Sequence, residues 1–366
     1  MKKKHLDITL LAVSALLLTV IGAGVWLLPS SDFSEEENRA LATLSQPTSK
    51  SIIDGSFTNS LSAYLTDRLP ARLEFIRLRA YSELSLFKGE CNGVIFCRDG
   101  YLLDRGEYAD LDKAENSVSE ICALCSELSA ADIPVSVAYV PRGIDVMKNK
   151  LPPLYSGNEN KIFELLSQPA DSIDLRNYLK YAADTGENVW FKTDHHWTSH
   201  GAYAAYVQLS AELGYAPYSK DFFKIETVSE NFLGSIYSRA GCIAPSADSI
   251  ELYRYEGDEE FLLKTDEGVT HNGFYFFEYL EKKDEYAIFL GGNYAYATIE
   301  KKTDEPRSRL LIIKDSYANS LVPFLALHFD IEMIDPRFYS GYEEILQKIK
   351  NVDRVLIIQG IDTLAT

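Results

Sequence analysis

Hydrophobic residues along the chain form short runs that alternate with stretches of helical spacing. Apolar runs rich in β-branched residues predict buried strands over 135–140, 310–313, 331–334 and 355–358, and shorter runs predict strands over 100–104, 173–175 and 189–191. Apolar residues three or four positions apart predict helices over 57–82, 114–128, 162–166, 179–183, 199–213, 319–327 and 343–350. Because strands that alternate with helices build βαβ units, we expect an α/β fold with a mainly parallel central sheet.

A second pattern interrupts this alternation over residues 215–302. The segment is rich in tyrosine, phenylalanine, glycine and turn residues, with β-prone stretches at 274–277 and 294–299. We therefore predict a β-rich insertion or flap between the two halves of the α/β body.

The amino terminus predicts a membrane segment. Residues 2–4 are lysines, and residues 8–28 carry no charge, which is about the 20 apolar residues that a membrane-spanning helix needs. The lysines predict a cytoplasmic amino terminus. A cleaved signal peptide is the alternative, but the run is long for one and no A-x-A site follows it. We expect an anchor over 1–30, a polar linker over 31–56 and an extracytoplasmic body over 57–366.

Composition narrows the class of protein. The 366 residues are 46% hydrophobic, and 54 acidic against 36 basic residues give a net charge of −18. An ordinary apolar content excludes a disordered protein, and the acidic balance argues against nucleic-acid binding. Five cysteines are too few for a disulfide scaffold, although Cys91 and Cys97 could bridge a hairpin. For Cys122 and Cys125, one helical turn apart, we expect burial rather than redox chemistry.

The densest group of reactive side chains lies at residues 193–198, which hold two of the six histidines. Asp194 and His196 are two positions apart, so in an extended segment their side chains point to the same side. Asp194 could then orient His196 as a general base. A chance surface cluster is the alternative.

A base requires a nucleophile, and Ser316 is the best candidate. It follows the apolar strand predicted at 310–313 and precedes a predicted helix, whose first amides could stabilise an oxyanion. Taken alone, Ser316 fits a helix cap better than a nucleophile, and the cluster at residues 194–196 is what favours the nucleophile. The test is geometric, because the triad requires Ser316 Oγ within hydrogen-bond reach of the His196 ring.

A metal site is a weaker alternative. His196 and His200 are four residues apart with Asp194 nearby, which is compatible with zinc. The chain has no HExxH pattern, and His271 and His328 lie in unrelated contexts.

The Asp194–His195–His196–Trp197 run resembles the signature of the DHHW family of bacterial exported proteins. That family is similar to the alginate O-acetylation proteins, a branch of the SGNH (GDSL-type) esterase and acetyltransferase superfamily. The likeness extends over residues 36–39, 54–57, 101–103, 291–293, 314–317 and 335–337.

The resemblance implies a three-layer SGNH-like fold and specific residue roles. Asp194, His196 and Ser316 would form the triad, and the Ser316 amide would line the oxyanion hole. Further candidates for oxyanion or substrate contacts are Tyr317, Asn293, Gly292, Arg337 and Trp197, although its context alone makes Arg337 a surface residue. No metal or organic cofactor is implied.

The function that the resemblance implies is that of a membrane-anchored enzyme, which moves an O-acetyl group to or from a cell-surface polysaccharide. A multi-span membrane acyltransferase would be the acetyl donor.

Two features of this sequence depart from the superfamily pattern. The Asp–His pair precedes the serine, as in the alginate branch, and Lys314 replaces the glycine of Gly-Asp-Ser, which we expect to narrow the oxyanion pocket. This substitution motivates the alternative of a non-catalytic carbohydrate-binding or assembly factor.

Overall fold

The computed structural model describes residues 2–27, 31–34, 36, 39–106, 111–153, 155, 160–167, 172–241, 243–244, 246–347, 349 and 351–364. The chain divides into two compact units, residues 1–88 with 241–243 and residues 89–240 with 244–366. The first unit contains α1 (Lys2–Leu27), β1 (Phe33–Ser34), β2 (Arg39–Ala40), α2 (Ser49–Ile53), α3 (Ser56–Asp67) and α4 (Arg72–Ser85).

Two predictions fall in the first unit. A helix does cover Lys2–Leu27, but among the described residues no helix combines the length and the apolar character needed to cross a membrane, so the transmembrane anchor is not supported. The single helix predicted over 57–82 is two helices. Pro70 lacks an N–H and disfavours helical backbone at Leu69, and Ala71 adopts a positive φ of 58° before α4 begins.

The second unit begins with β3 (Glu90–Cys91), β4 (Val94–Phe96), β5 (Leu102–Asp104), α5 (Leu111–Ala130), β6 (Val135–Val140), α6 (Gly143–Val146), α7 (Asn160–Leu166), β7 (Ser172–Asp174), α8 (Arg176–Asp184) and α9 (Ser199–Leu213). It continues with β8 (Lys224–Phe232), α10 (Ser235–Arg239), β9 (Asp248–Arg254), β10 (Phe261–Thr265), β11 (Thr270–Asn272), β12 (Tyr296–Lys301), β13 (Ser308–Lys314), α11 (Val322–Leu325), β14 (Phe329–Ile334), α12 (Tyr342–Leu346), β15 (Arg354–Gly360) and α13 (Ile361–Leu364).

An eight-stranded mixed sheet organises this unit. Its strand order is β11-β10-β12-β14-β13-β15-β6-β7, and the five strands from β14 to β7 run parallel. Ile313 of β13 lies opposite Ile334 of β14 and Ile357 of β15, so these strands end side by side. Residues that follow them therefore gather at one edge, where open α/β sheets place their sites.

Both faces of the sheet are covered. Leu310, Ile312, Leu356 and Ile358 pack in the same cluster as Leu209 of α9. The alternate residues Leu311, Ile313, Val355 and Ile357 pack with Ile121 and Leu124 of α5. This alternation gives the three layers of an α/β fold, with strands whose two faces are both apolar.

The β-rich segment 215–302 is only partly a separate insertion. Strands β8 and β9 pair with each other as a hairpin, whereas β10, β11 and β12 extend the central sheet in antiparallel fashion. The prediction of a strand at 189–191 is wrong, because Trp190 makes only an isolated bridge to Trp197. The helix predicted at 319–327 is a 3-10 turn (Ser316–Ser320) followed by α11.

The structure also bears on the disulfide considered between Cys91 and Cys97. The bridge considered between Cys91 and Cys97 does not form in this structure. Burial raises the pKa of Cys97 to about 12, which makes it unreactive at neutral pH. Residues 28–30 of the predicted anchor, Glu37 and Asn38 of the resembling segments, Cys242, and Lys350 of a predicted helix lie outside the described residues.

Candidate active site

Asp194 holds the ring of His196, as the two-residue spacing predicted. The Nδ1 atom of His196 lies 2.6 Å from Asp194 Oδ1, and the same oxygen accepts the His196 backbone N–H at 3.0 Å. Both residues are nearly inaccessible to solvent. The loop that carries them is closed by the Trp190–Trp197 bridge and ends where Thr198 caps α9 by accepting from the Gly201 N–H.

Ser316 meets this pair across 120 residues of sequence: its Oγ lies 2.8 Å from His196 Nε2. Ser316 opens the 3-10 turn at the carboxyl end of β13. The turn is fixed by the buried Asp315, which accepts from the N–H of Tyr317 at 3.0 Å and from the Gly360 N–H at the end of β15 at 2.6 Å. The ends of the neighbouring parallel strands β13 and β15 thus fix the position of the Ser316 hydroxyl.

The second carboxylate oxygen of Asp194 accepts the Ser235 N–H at 2.7 Å. Burial alone would raise the pKa of Asp194, but the adjacent imidazoles of His195 and His196 and these donors hold it well below its usual value. Asp194 therefore stays ionised and can stabilise an imidazolium. The backbone of Gly234 approaches so closely that a Cβ there would lie 2.3 Å from Asp194 Oδ2.

Asp248, which sequence reasoning missed, holds the start of the same loop. Its carboxylate accepts the Lys192 N–H at 2.8 Å and, on the other oxygen, the Thr193 N–H at 2.8 Å and hydroxyl at 2.6 Å. The side chain is 3% exposed, and burial raises its pKa. Asp248 lies at the start of β9, so the β8–β9 hairpin fixes the backbone that presents Asp194 and His196.

We expect Asp248→Ala to lower the free energy of unfolding by about 2 kcal/mol or more, because buried donors left without an acceptor each cost ~1–3 kcal/mol. Urea denaturation measures the loss, and Asp221→Ala, which removes an exposed carboxylate, provides the control. Equal unfolding free energies for the two variants would show that the Asp248 hydrogen bonds do not stabilise the protein.

Two aromatic residues frame His196. The Tyr286 ring stacks on the imidazole with centroids 3.8 Å apart and planes at 6°, and its hydroxyl donates to the Ser316 carbonyl at 3.2 Å. Tyr286 comes from the tyrosine-rich segment, where no local pattern distinguishes it. It restricts the imidazole to the plane in which Nε2 reaches Ser316.

Trp197 and Tyr317 were predicted to contact substrate, and the structure does not support this. The Trp197 side chain is fully buried, and its indole N–H donates to the Tyr317 carbonyl at 2.9 Å and to Ser320 Oγ at 3.0 Å. The Tyr317 hydroxyl donates to the His195 carbonyl at 2.8 Å, and its N–H is bound by Asp315. Both residues instead tie the His196 loop to the Ser316 turn.

His195 lies next to the Asp194–His196 pair but is not part of it. Its Nδ1 is 2.6 Å from Ser235 Oγ, its ring centroid is 3.8 Å from that of His196, and loss of hydration together with the His196 charge lowers its pKa to about 4. Asp194, His195 and His196 bring ligand atoms within 4.8 Å of one another, so these three could hold a metal ion. The zinc set with His200 does not form, since His200 binds Glu251 and Tyr253.

Lys314, Gly292 and Asn293 form the neighbouring wall. Lys314 is buried, and its Nζ donates to Asn319 Oδ1 at 2.5 Å and to Asn293 Oδ1 at 3.4 Å. Gly292 adopts φ +125°, which side-chain-bearing residues rarely do, and a Cβ there would meet nothing within 4 Å. The two asparagines hold the Lys314 side chain, and its effect on the width of the oxyanion pocket stays a prediction.

Arg337 is fixed rather than free on the surface. Its Nε and Nη2 donate to the two oxygens of Asp335 at 2.9 and 2.5 Å, and Asp335 is fully buried at the end of β14. This pairing raises the pKa of Arg337, whose side chain remains 43% exposed. An oriented, partly exposed guanidinium beside the β13 strand end can bind a polar or anionic group.

Comparison with known proteins agrees with this architecture. Residues 167–334 match the DHHW protein family, and residues 91–232 match the SGNH hydrolase-like domain of acetyltransferase AlgX. The resemblance drawn from residues 194–197 is thereby confirmed. No curated protein matches the chain significantly.

Two solved structures share the fold. A DHHW family protein from Eubacterium siraeum is 22% identical, with a TM-score of 0.61 over 76% of this chain and 93% of that one. Bacillus cereus PatB1 with a sulfonyl adduct is 20% identical, with a TM-score of 0.60 over 75% and 96% of the two chains.

Proposed function

We propose that this protein moves an O-acetyl group to or from a cell-surface polysaccharide, with Ser316 as nucleophile and an acyl-serine intermediate. The observation that carries the proposal is the hydrogen-bonded chain from Ser316 Oγ through the His196 ring to the Asp194 carboxylate. A hydroxyl, an imidazole and a buried carboxylate in this order activate serine in unrelated folds.

The reaction follows from these contacts. Ser316 Oγ attacks the acetyl carbonyl carbon while its proton passes to His196 Nε2, and Asp194 stabilises the imidazolium. The bond to the leaving alcohol then breaks, and His196 returns the proton to that oxygen. An incoming sugar hydroxyl or water, deprotonated by His196, attacks the acyl-serine; the bond from the acyl carbon to Ser316 Oγ breaks, and His196 returns the proton to Oγ. The first acceptor gives transfer and the second gives hydrolysis.

Negative charge on the tetrahedral carbonyl oxygen requires donors. We assign them to the Ser316 N–H at the start of its turn, the Gly292 N–H and the side-chain amide of Asn293. Arg337, held by Asp335, contributes a fixed donor for a substrate hydroxyl or carboxylate. The match to acetyltransferase AlgX supports acetyl as the group that is transferred.

We further propose an extracytoplasmic location with a multi-span membrane acyltransferase as acetyl donor. Lysines at 2–4 followed by the uncharged residues 8–28 are typical of an export signal, which supports this location. Protease added to intact cells should digest the 57–366 body, whereas protection of the body until the cells are lysed would contradict this location.

The activity is tested on the full chain purified in mild detergent. We expect acetate release from 4-nitrophenyl acetate and from an O-acetylated polysaccharide, and a sulfonyl fluoride should form an adduct that peptide mass spectrometry locates on Ser316. PatB1 with its sulfonyl adduct indicates the reagent. A chain that releases no acetate and forms no adduct would instead be a binding or assembly factor.

A further inference from the structure

We propose that Lys314 is a positioning residue that, together with Asn319, fixes the side-chain amide of Asn293 with its N–H groups available to the oxyanion. This inference rests on the proposed function and deepens it. Lys314 stands where the superfamily pattern has glycine, and its contacts give that substitution a definite role.

The direction of the hydrogen bond between Lys314 and Asn319 is fixed by the chemistry of the ammonium group. A lysine ammonium only donates hydrogen bonds, so the Asn319 atom that lies 2.5 Å from Lys314 Nζ must be the amide oxygen. The Asn319 amide is thereby oriented, and its Nδ2 points the other way. That nitrogen donates to the Gly292 carbonyl at 3.2 Å and to Asn293 Oδ1 at 3.3 Å.

The same reasoning orients Asn293. Its Oδ1 receives hydrogen bonds from Asn319 Nδ2 and from Lys314 Nζ, so both donors fix it as the acceptor end. The Asn293 Nδ2 lies on the opposite side of a planar amide and points away from the lysine. The flipped orientation of the Asn293 amide is therefore excluded, because it would place the Asn293 N–H groups against the N–H groups of Lys314 and Asn319.

The hydrogen-bonded chain of Lys314, Asn319 and Asn293, called the relay below, is attached to the segment that carries the nucleophile. Lys314 is the last residue of β13, Ser316 opens the following turn, and Asn319 lies in that turn. Any movement of Asn293 relative to Ser316 therefore disturbs the two hydrogen bonds that Asn293 Oδ1 accepts from Lys314 and Asn319. Within the described part of the chain, the hydrogen-bond partners of Nζ are the side-chain oxygens of Asn319 and Asn293, so the lysine acts on the position of these two amides.

The experiment is a double-mutant cycle on full-length protein, read as kcat and KM for 4-nitrophenyl acetate. We expect Asn293→Ala to lower kcat by about 10²-fold, and Lys314→Met to lower it by about 10-fold or more, each with KM changed less than about threefold. Because Lys314 acts through Asn293, the double variant should be no slower than Asn293→Ala alone. Lys302→Met is the matched control, since exposed Lys302 also donates to an asparagine oxygen, at 2.7 Å.

A second variant isolates the relay without removing the buried charge. Asn319→Asp keeps an acceptor for Lys314 but loses the N–H that fixes Asn293, so kcat should fall towards that of Asn293→Ala while the melting temperature is retained. Additive losses in the cycle, or an unchanged kcat for Asn319→Asp, would overturn the proposal. Failure of the proposed function is a separate result, because wild-type protein would then show no Ser316-dependent hydrolysis.

Discussion

Replacement of His196 by alanine is expected to lower kcat for acetyl-ester hydrolysis by about 10⁴-fold or more, because the imidazole is placed to accept the Ser316 proton. It links Ser316 Oγ, 2.8 Å from Nε2, to the Asp194 carboxylate, 2.6 Å from Nδ1. Sulfonylation of Ser316 should slow in parallel, since it also requires an activated hydroxyl. Stopped-flow or long-incubation assays with 4-nitrophenyl acetate measure the loss.

The structure offers a matched control for the loss of a stacked imidazole. His271 stacks on Phe276 with centroids 3.8 Å apart, the same separation as His196 on Tyr286, but lies outside the site. His271→Ala should therefore leave kcat unchanged. Combining His196→Ala with Ser316→Ala should add little to either single loss, since the two act as a unit. Losses that multiply would show that the two residues do not share one reaction step.

Gly234→Ala should lower kcat by about 10³-fold, although no side chain of the site is changed. The added methyl would lie 2.3 Å from both Cβ and Oδ2 of Asp194, so the carboxylate must move. A displacement of ~1 Å costs about 10²-fold in rate, and loss of the orienting carboxylate from a serine triad costs about 10⁴-fold, so the expected effect lies between these.

Gly89→Ala controls for the glycine substitution itself. Its added methyl would make only ordinary contacts, 3.6 Å or more from the Tyr155 ring and hydroxyl. Gly234→Ala should lower kcat less than Asp194→Ala does, because the carboxylate is displaced rather than removed, and KM should stay within about threefold. A Gly234→Ala enzyme with wild-type kcat would mean that the fixed position of Asp194 is not required for catalysis.

Local sequence patterns were sufficient for the elements that carry the site. Strand β6 begins and ends where its β-branched run predicts, and α9 begins after the Thr198 cap as expected. Asp194, His196 and Ser316 could be proposed together because their chemical types and their loop positions are visible in sequence, and the structure brings them within hydrogen-bond distance.

Contacts that depend on folding from distant segments were not predictable. Tyr286, Asp248 and Gly234 lie in the β-rich segment, where many similar residues occur and none has a local signature. Trp197 was assigned to substrate because aromatic rings suit sugars, yet its burial follows only from packing against the Ser316 turn. The helix break before α4 could have been inferred from Pro70.

The β8–β9 hairpin and its flanking residues have a consequence for engineering. Asp248 clamps the loop that carries His196, while Gly234 and Ser235, between the two strands, hold Asp194. A chimera that exchanged this hairpin for that of a relative would also exchange the residues that align the Asp194–His196 pair. The hairpin therefore cannot be treated as a module that is independent of the site, and a graft would have to keep Gly234, Ser235 and Asp248.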